Sequence, residues 1–239
     1  MSKNYTILHL HSMDSNPYSG LEVDSVTPFD AYIPKIAECG MKSVAFTEHG
    51  CMLHNVAKKQ LCEKNGIKLI QAEEFYVTET LDPENLVRDN WHCLLYAKNK
   101  DGVKELLELS SRAFEPDHKY YNPRISLEEL ENTSDNILIL TGCVAGILCK
   151  GTNTAKERFL KFIIKNKHRC WLEIQPHDFD LQVQYNRYLY SISIEYGLKL
   201  IATSDIHALT EDHMLGRKIM QQSKLKTPFE DEDKCDLIF

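Results

Sequence analysis

The chain has 239 residues, 43% of them hydrophobic, which is enough to bury a full core and falls within the range of one large domain. Its formal charge of −7 argues against a protein that holds nucleic acid mainly by nonspecific attraction to phosphates, although three bound divalent cations would nearly cancel that charge and dominate the local potential. The eight cysteines (Cys39, Cys51, Cys62, Cys93, Cys143, Cys149, Cys170 and Cys235) are dispersed without a C-x-x-C pair, and neither a leader-like N-terminus nor an apolar run of about 18 residues is present, so reduced thiols, a cytoplasmic location and no membrane partner are expected.

Short runs rich in Ile, Val, Leu, Phe and Tyr predict seven buried strands, with helical periodicity between them. A strand at Tyr5 to Leu10 is followed by a helix over Phe29 to Cys39, which Pro34 is expected to kink or to delay. The strand Lys42 to Thr47 leads to a helix at Asn55 to Lys64, and Ile67 to Ala72 and Cys93 to Ala97 are the third and fourth strands. After a helix at Gly102 to Phe114, the segment Glu115 to Asp135 carries two prolines and no apolar run. It reads as an excursion, within which SLEEL resembles a short capped helix. Then come a strand at Ile137 to Thr141, a helix at Thr154 to Lys165, and a strand at Cys170 to Gln175. A helix at Leu181 to Tyr196, with Leu181, Tyr185, Leu189 and Ile192 on one face, precedes the last strand, Lys199 to Thr203. The charged run Lys161 to Arg169 reads as a solvated helix face. Strand–helix alternation predicts an α/β fold over residues 1–225. Residues 226–239, acidic and then apolar, are expected to be a tail, the start of a further region in a longer protein.

Nearly every predicted strand ends in a residue suited to metals or protons. His9 and His11 lie in LHLHS, His49 closes the second strand in AFTEHG, and Glu73 and Glu74 follow the third in QAEEFYV. His92 opens the fourth in NWHCLLYAK, Cys143 follows the fifth in ILTGC, His177 follows the sixth in LEIQPH, and Asp205 and His207 follow the seventh in IATSDIH. In a parallel barrel the strand C-termini share one face, so such residues converge there. His92, at the start of its strand, is the exception. Taken singly, Cys143 reads as a packed thiol and Asp205 as a turn or cap residue; their recurrence at strand ends is what points to a metal site. Imidazole, carboxylate and thiolate donors suit Zn, Mn or Fe better than Ca or Mg, and their number implies two or three ions. Closely spaced metals suit phosphoester hydrolysis.

At LHLHS, FTEHG, AEEFYV, HCLLYAKN, LTGCVAG, LEIQPH and ATSDIH, across residues 5 to 225, the chain resembles the polymerase and histidinol phosphatase family, PHP. Within it, the likeness is to the branch that forms the N-terminal domain of bacterial replicative DNA polymerases, and YYNPRI shares in it. The resemblance implies a distorted, TIM-like (β/α)7 barrel with a trinuclear metal site. Carried onto matching positions, the metal ligands would be His9, His11, Asp24, His49, Glu74, His92, Cys143, Asp205 and His207, with His177 near the substrate as ligand or proton donor.

The sequence departs from the family pattern in places. The loop after His11 is long and Asp24 precedes Ser25 rather than Gly, which leaves Asp14 as a rival ligand; Glu48 stands where Asp is expected. Glu73 competes with Glu74, though strand alternation allows only one to face the site. Arg124 in YYNPRI is the first candidate for guiding a phosphate, with Arg217 and Lys218 behind it, and Tyr120 and Tyr121 allow either base stacking or loop packing. The implied function is a metal-dependent phosphoesterase acting on DNA, a 3′ to 5′ exonuclease on single-stranded 3′ ends, with replication proteins as partners. Its rivals are a histidinol-phosphatase-like enzyme acting on a small phosphomonoester and a noncatalytic module of a replicative polymerase.

Overall fold

A computed structural model describes residues 5–16, 23–82, 84 and 87–225. The expected tail at 226–239 lies outside the described residues.

Among the described residues, seven strands form one curled sheet: β1 (Ser43–Phe46), β2 (Lys68–Thr78), β3 (Trp91–Ala97), β4 (Arg124–Ser126), β5 (Ile137–Leu140), β6 (Cys170–Ile174) and β7 (Lys199–Ala202). Their order is β1-β2-β3-β5-β6-β7, with β4 on β2. β2 is longer than its apolar run predicts, because Glu73 and Glu74 continue the ladder instead of ending it: Glu73 pairs with Leu95 and Glu74 with Leu94. β1 and β4 run parallel to β2 along its other edge, β1 beside Lys68 to Gln71 and β4 beside Tyr76 to Thr78. The supposed excursion after the third helix therefore supplies a strand.

β3 is antiparallel to both β2 and β5, whereas β5, β6 and β7 are parallel. The expected first strand forms no regular ladder. Residues 7–11 instead join the two ends of the curl, bridging Ile7 to Val44 and Leu10 to Ile206. The Ala45 amide donates to the Ile7 carbonyl and the His11 amide to the Ile206 carbonyl, both at 2.8 Å.

Eight α-helices among the described residues pack outside or between these strands: α1 (Phe29–Glu38), α2 (Asn55–Lys64), α3 (Lys100–Arg112), α4 (Leu127–Glu131), α5 (Ile147–Lys150), α6 (Asn153–Lys165), α7 (Asp180–Tyr196) and α8 (Glu211–Leu225). α1 starts at Phe29 and continues through Pro34, so the proline does not delay it. Loss of one helical hydrogen bond is offset by Tyr32, Ile33 and Ile36, all fully buried against β1 and α2. α4 carries the expected reciprocal cap, with the Glu129 amide donating to Ser126 Oγ and the Ser126 amide donating to the Glu129 carboxylate. On α7, Tyr185, Leu189 and Ile192 are buried as expected, but Leu181 is exposed and Gln182 is buried in its place. A large core lies between the sheet and α3, α5, α6 and α7, and a smaller one, with Ala45, Ala72, Leu94, Tyr96 and Leu140, fills the inside of the curl.

The charged run at the end of α6 divides. Lys161, Lys165 and Lys167 are exposed, but Arg169 lies beyond the helix and is 3% exposed. Its guanidinium donates to the carbonyls of Thr133 (2.9 Å) and Ile137 (3.2 Å) and to Thr133 Oγ1 (3.0 Å), tying the entry of β5 to that of β6. Arg169→Met leaves those acceptors buried without donors and is expected to cost about 2–4 kcal/mol. Urea unfolding measures this; a loss under about 0.5 kcal/mol would show that water replaces the guanidinium.

Candidate metal centre

His9 and His11 are two residues apart in the segment joining β1 to Ile206, so local alternation sends both rings to one side, where both are fully buried. His49 follows β1 and bridges to Glu74. β3 starts where its antiparallel neighbours β2 and β5 finish, so His92 at its start lies at the same end of the sheet as the other site residues, opposite Tyr76 and close to Glu74. Asp205 has φ 48°, a left-handed conformation that Asp tolerates better than most residues. Its carbonyl accepts from His207 Nδ1 at 2.8 Å, which leaves His207 Nε2 turned to Asp24 at 3.2 Å.

Three overlapping groups result: His11, Asp24, His49 and His207; His9, His11 and Glu74; and His49, Glu74 and His92. In each, one donor atom per residue lies within 4.8 Å of the others. Glu74 is the hub. Its Oε2 lies 3.4 Å from His9 Nε2, 3.2 Å from His11 Nε2 and 2.9 Å from His49 Nδ1, and its Oε1 lies 3.2 Å from His92 Nδ1. Asp205 Oδ1 is 3.0 Å from His9 Nε2 and 3.3 Å from His11 Nε2, while Asp24 Oδ2 is 3.5 Å from His49 Nε2. Cys143 Sγ lies 3.7 Å from His92 Nδ1 and accepts from the Ala145 amide.

These atoms fit divalent cations. Seven of them, His9 Nε2, His11 Nε2, His49 Nδ1, Asp24 Oδ2, Asp205 Oδ1 and both Glu74 oxygens, are buried without a hydrogen-bond partner among the described residues. One such atom costs about 1–3 kcal/mol, and cations among them remove that cost for the whole set. Without cations, protons hold the groups together. Burial opposes a charged His9, but Asp205, Glu173 and Glu74 keep its pKa well above the ordinary range. Burial is likewise outweighed at His49, by Tyr76, Asp24 and Glu74. His207 goes the other way, depressed by burial. Asp24 and Glu74 stay well below the usual carboxylate range despite burial, held there by His207 and His49 and by His92, His49 and His9 respectively.

A second layer orients the rings. His9 Nδ1 donates to Glu173 Oε1 at 2.6 Å, and that oxygen also receives Thr203 Oγ1 and, at 3.0 Å, Gln175 Nε2. This leaves His9 Nε2 to face Asp205 and Glu74. His11 Nδ1 is 2.9 Å from Ser15 Oγ, which donates to Glu48. Glu48 also accepts from the Ser12 amide, Ser12 Oγ and Lys58 Nζ, the last at 2.6 Å. Lys58, 3% exposed, sits 2.8 Å from Asp14 Oδ2 as well. The rivals therefore separate: Asp24 lies among the rings, and Asp14 is tied to Lys58 and His54. Glu74 faces the rings, while Glu73 is buried toward Ser110 of α3 with its pKa pushed well up by burial.

His177 belongs to none of the three groups, yet it lies close enough for Asp205 and His9 to act on its charge. Its ring bonds to the Ser204 backbone, and its buried Nε2 has no partner among the described residues. Arg124 is not brought into the cluster. Its Nη1 donates to the Val87 carbonyl at 2.7 Å and its Nε to the His118 carbonyl at 3.2 Å. Arg217, a lower-ranked candidate, does reach the cluster: Nε donates to the Asp24 carbonyl and Nη2 lies 3.8 Å from Asp24 Oδ1. Lys218 follows it on α8, half-buried. A cavity of about 250 Å³ opens on the cluster, lined by Asp24, His49, His92, Tyr76, Asn90 and Asn122. Sequence reasoning missed Glu173, Lys58, Asn90 and Asn122. Only Glu173 left a signal, a charge inside the apolar strand CWLEI.

Comparison with known proteins gives concordant likenesses. The PHP domain matches residues 8–177. DNA polymerase III subunit alpha of Aquifex aeolicus is 30% identical over 240 residues, covering 95% of this chain and 20% of that protein. The same subunit of Helicobacter pylori strain 26695 is 33% identical over 225 residues, covering 86% and 18%. The chain thus spans about one fifth of the length of these curated relatives. Among solved structures, a protein of Bifidobacterium adolescentis assigned as a metal-dependent phosphoesterase superimposes with a TM-score of 0.53 at 13% identity, over 87% of this chain and 88% of that one, a likeness of fold.

Two outcomes are expected. Glu173→Gln loses the carboxylate that fixes His9 and should weaken metal binding about 10- to 100-fold in chelator competition; unchanged affinity would make Glu173 a packing residue. Because His9 and His49 hold protons in the cation-free protein, metal binding should release protons and strengthen as pH rises. Titration calorimetry in buffers of different ionisation enthalpy reads the release, and buffer-independent heats would refute it.

Proposed function

The chain belongs to the PHP family, and from that premise we propose that it hydrolyses DNA phosphodiesters as a metal-dependent exonuclease, working from single-stranded 3′ ends. The carrying observation is the convergence of buried, unpartnered nitrogen and oxygen atoms around Glu74. Likeness to the N-terminal fifth of a DNA polymerase subunit supports DNA over a small phosphomonoester as substrate, and replication proteins in the cytoplasm as company.

His9, His11, Asp24, His49, Glu74, His92, Cys143, Asp205 and His207 would hold two or three divalent cations, with Zn, Mn or Fe suited to this donor set. Such cations supply Lewis acidity, acidifying water for attack on phosphorus and offsetting charge on the phosphoryl oxygens. The chain's own residues do the remainder. Glu173 and the Ser15–Glu48 pair hold His9 and His11 in fixed tautomers. Arg217, beside Asp24, adds positive charge for drawing in a phosphate. Burial lowers the His177 pKa, so the ring is neutral at pH 7. With one nitrogen engaged by the Ser204 backbone, its Nε2 takes a proton from water and returns it to the departing oxygen. Arg124 acts at one remove, holding the segment beside Val87 and His118.

The test uses oligonucleotides labelled at either end, with Mn or Zn restored after chelation. Stepwise shortening from the 3′ end is expected, reduced by about 100-fold or more in the His9→Ala, Asp205→Ala double variant. Hydrolysis of phosphomonoesters alone would make the protein a small-molecule phosphatase; bound metal without turnover would make it a noncatalytic module.

A further inference from the structure

Tyr121 is strained and exposed together. Tyr120 and Asn122 exchange backbone hydrogen bonds of 3.2 and 2.9 Å around it, and the turn forces Tyr121 to φ 63°. A bulky side chain in this left-handed region is an outlier that glycine or asparagine would avoid. No burial compensates, because Tyr121 is 46% exposed.

The position of this turn is fixed by its neighbours. Asn122 lines the cavity that opens on Asp24, His49 and His92. Pro123 packs on Gly50, the residue after His49: a β-carbon there would stand 2.8 Å from Pro123 Cγ, and Gly50 itself has φ 61°. β4 then begins at Arg124, paired with Tyr76. The turn is thus pinned beside the cavity, with Asn122 in its lining.

The chemistry of the turn is that of a stacking surface. The Arg88 guanidinium lies 3.8 Å from the Tyr121 ring centre, Tyr120 meets that ring at 4.7 Å and 72°, and Arg124 lies 5.4 Å from the Tyr120 ring. Alternating aromatic and guanidinium planes bind bases of any identity and attract the backbone. In the cavity that Asn122 lines, Asn90 Oδ1 is buried without a hydrogen-bond partner among the described residues, an acceptor in need of a donor.

From these observations, and resting on the exonuclease reading above, we propose that the Arg88–Tyr121 pair and Asn90 form a terminal-nucleotide subsite. The last base of a single strand stacks on the pair, and the terminal 3′-hydroxyl donates to Asn90 Oδ1. The exonuclease reading explains hydrolysis; this subsite explains why the strand would be engaged at its 3′ end.

The experiment is equilibrium binding, by fluorescence anisotropy, of phosphorothioate single strands in three forms: an intact 3′ end, a 3′-terminal abasic residue, and a 3′-deoxy end. Tyr121→Ala and Tyr121→Gly should each weaken binding of the intact strand about tenfold or more and leave the abasic strand unaffected, with Tyr121→Phe close to wild type. Tyr121→Gly suits the left-handed backbone, so it should melt at or above the wild-type temperature and exclude misfolding as the cause. Asn90→Ala should weaken the intact strand but not the 3′-deoxy strand. Equal losses on intact and abasic strands, or none, would overturn the platform while wild-type cleavage left the nuclease reading standing. A wild type that neither binds nor cleaves any strand would overturn both.

Discussion

Burying anionic and imidazole groups together is the constraint on which this structure turns. Glu74, Asp205 and Asp24 lie largely buried with five histidine rings around them, and the arrangement persists only with positive charge supplied, by protons on the rings or by bound cations. Much of the irregularity in the fold serves that cluster. β2 runs past its apolar stretch to carry Glu74 inside, β3 reverses to bring His92 alongside, and the backbone after β7 turns left-handed at Asp205 to aim two donors at once.

The acids of the chain divide by what faces them. Glu73 and Glu74 are adjacent and equally buried, yet burial raises one pKa with little opposition, while His92, His49 and His9 lower the other. Glu48, one residue from His49, is neutralised by Lys58 and serves as an anchor for Ser12 and Ser15. A buried lysine is expensive, and here it is matched by two carboxylates, Glu48 and Asp14. In the outer layer Lys58 meets Glu48 and Asp14 directly, while the inner acids face mainly imidazole rings, an arrangement suited to a cation-binding centre.

An acidic chain can still engage a polyanion when its few cations are well placed. Arg217 stands beside Asp24, and Arg88 lies over Tyr121, next to the cavity-lining Asn122. Lys58 and Arg124, by contrast, are buried and committed to internal partners. The potential at the cavity is therefore set by nearby groups rather than by net charge.

The donor residues were legible because the chemistry repeats at strand ends: LHLHS, FTEHG, HCLLYAKN and SDIH each carry a ligand type beside an apolar run, and period-two alternation predicted that Glu73 and Glu74 would part. The helices and most strands were legible from periodicity for the same reason, local spacing. Strand direction was not, since a run such as Trp91–Ala97 reads identically in either sense, and only pairing with β2 and β5 explains why His92 comes first. Nor could spacing choose between Asp14 and Asp24, place Lys58 between Asp14 and Glu48, or bring Glu173 to His9 across 164 residues. The sequence by itself determined which side chains could bind metal and the elements that bear them. Tertiary structure decided which of them meet, because long-range contacts depend on strand direction and loop closure, and neither is encoded in local pattern.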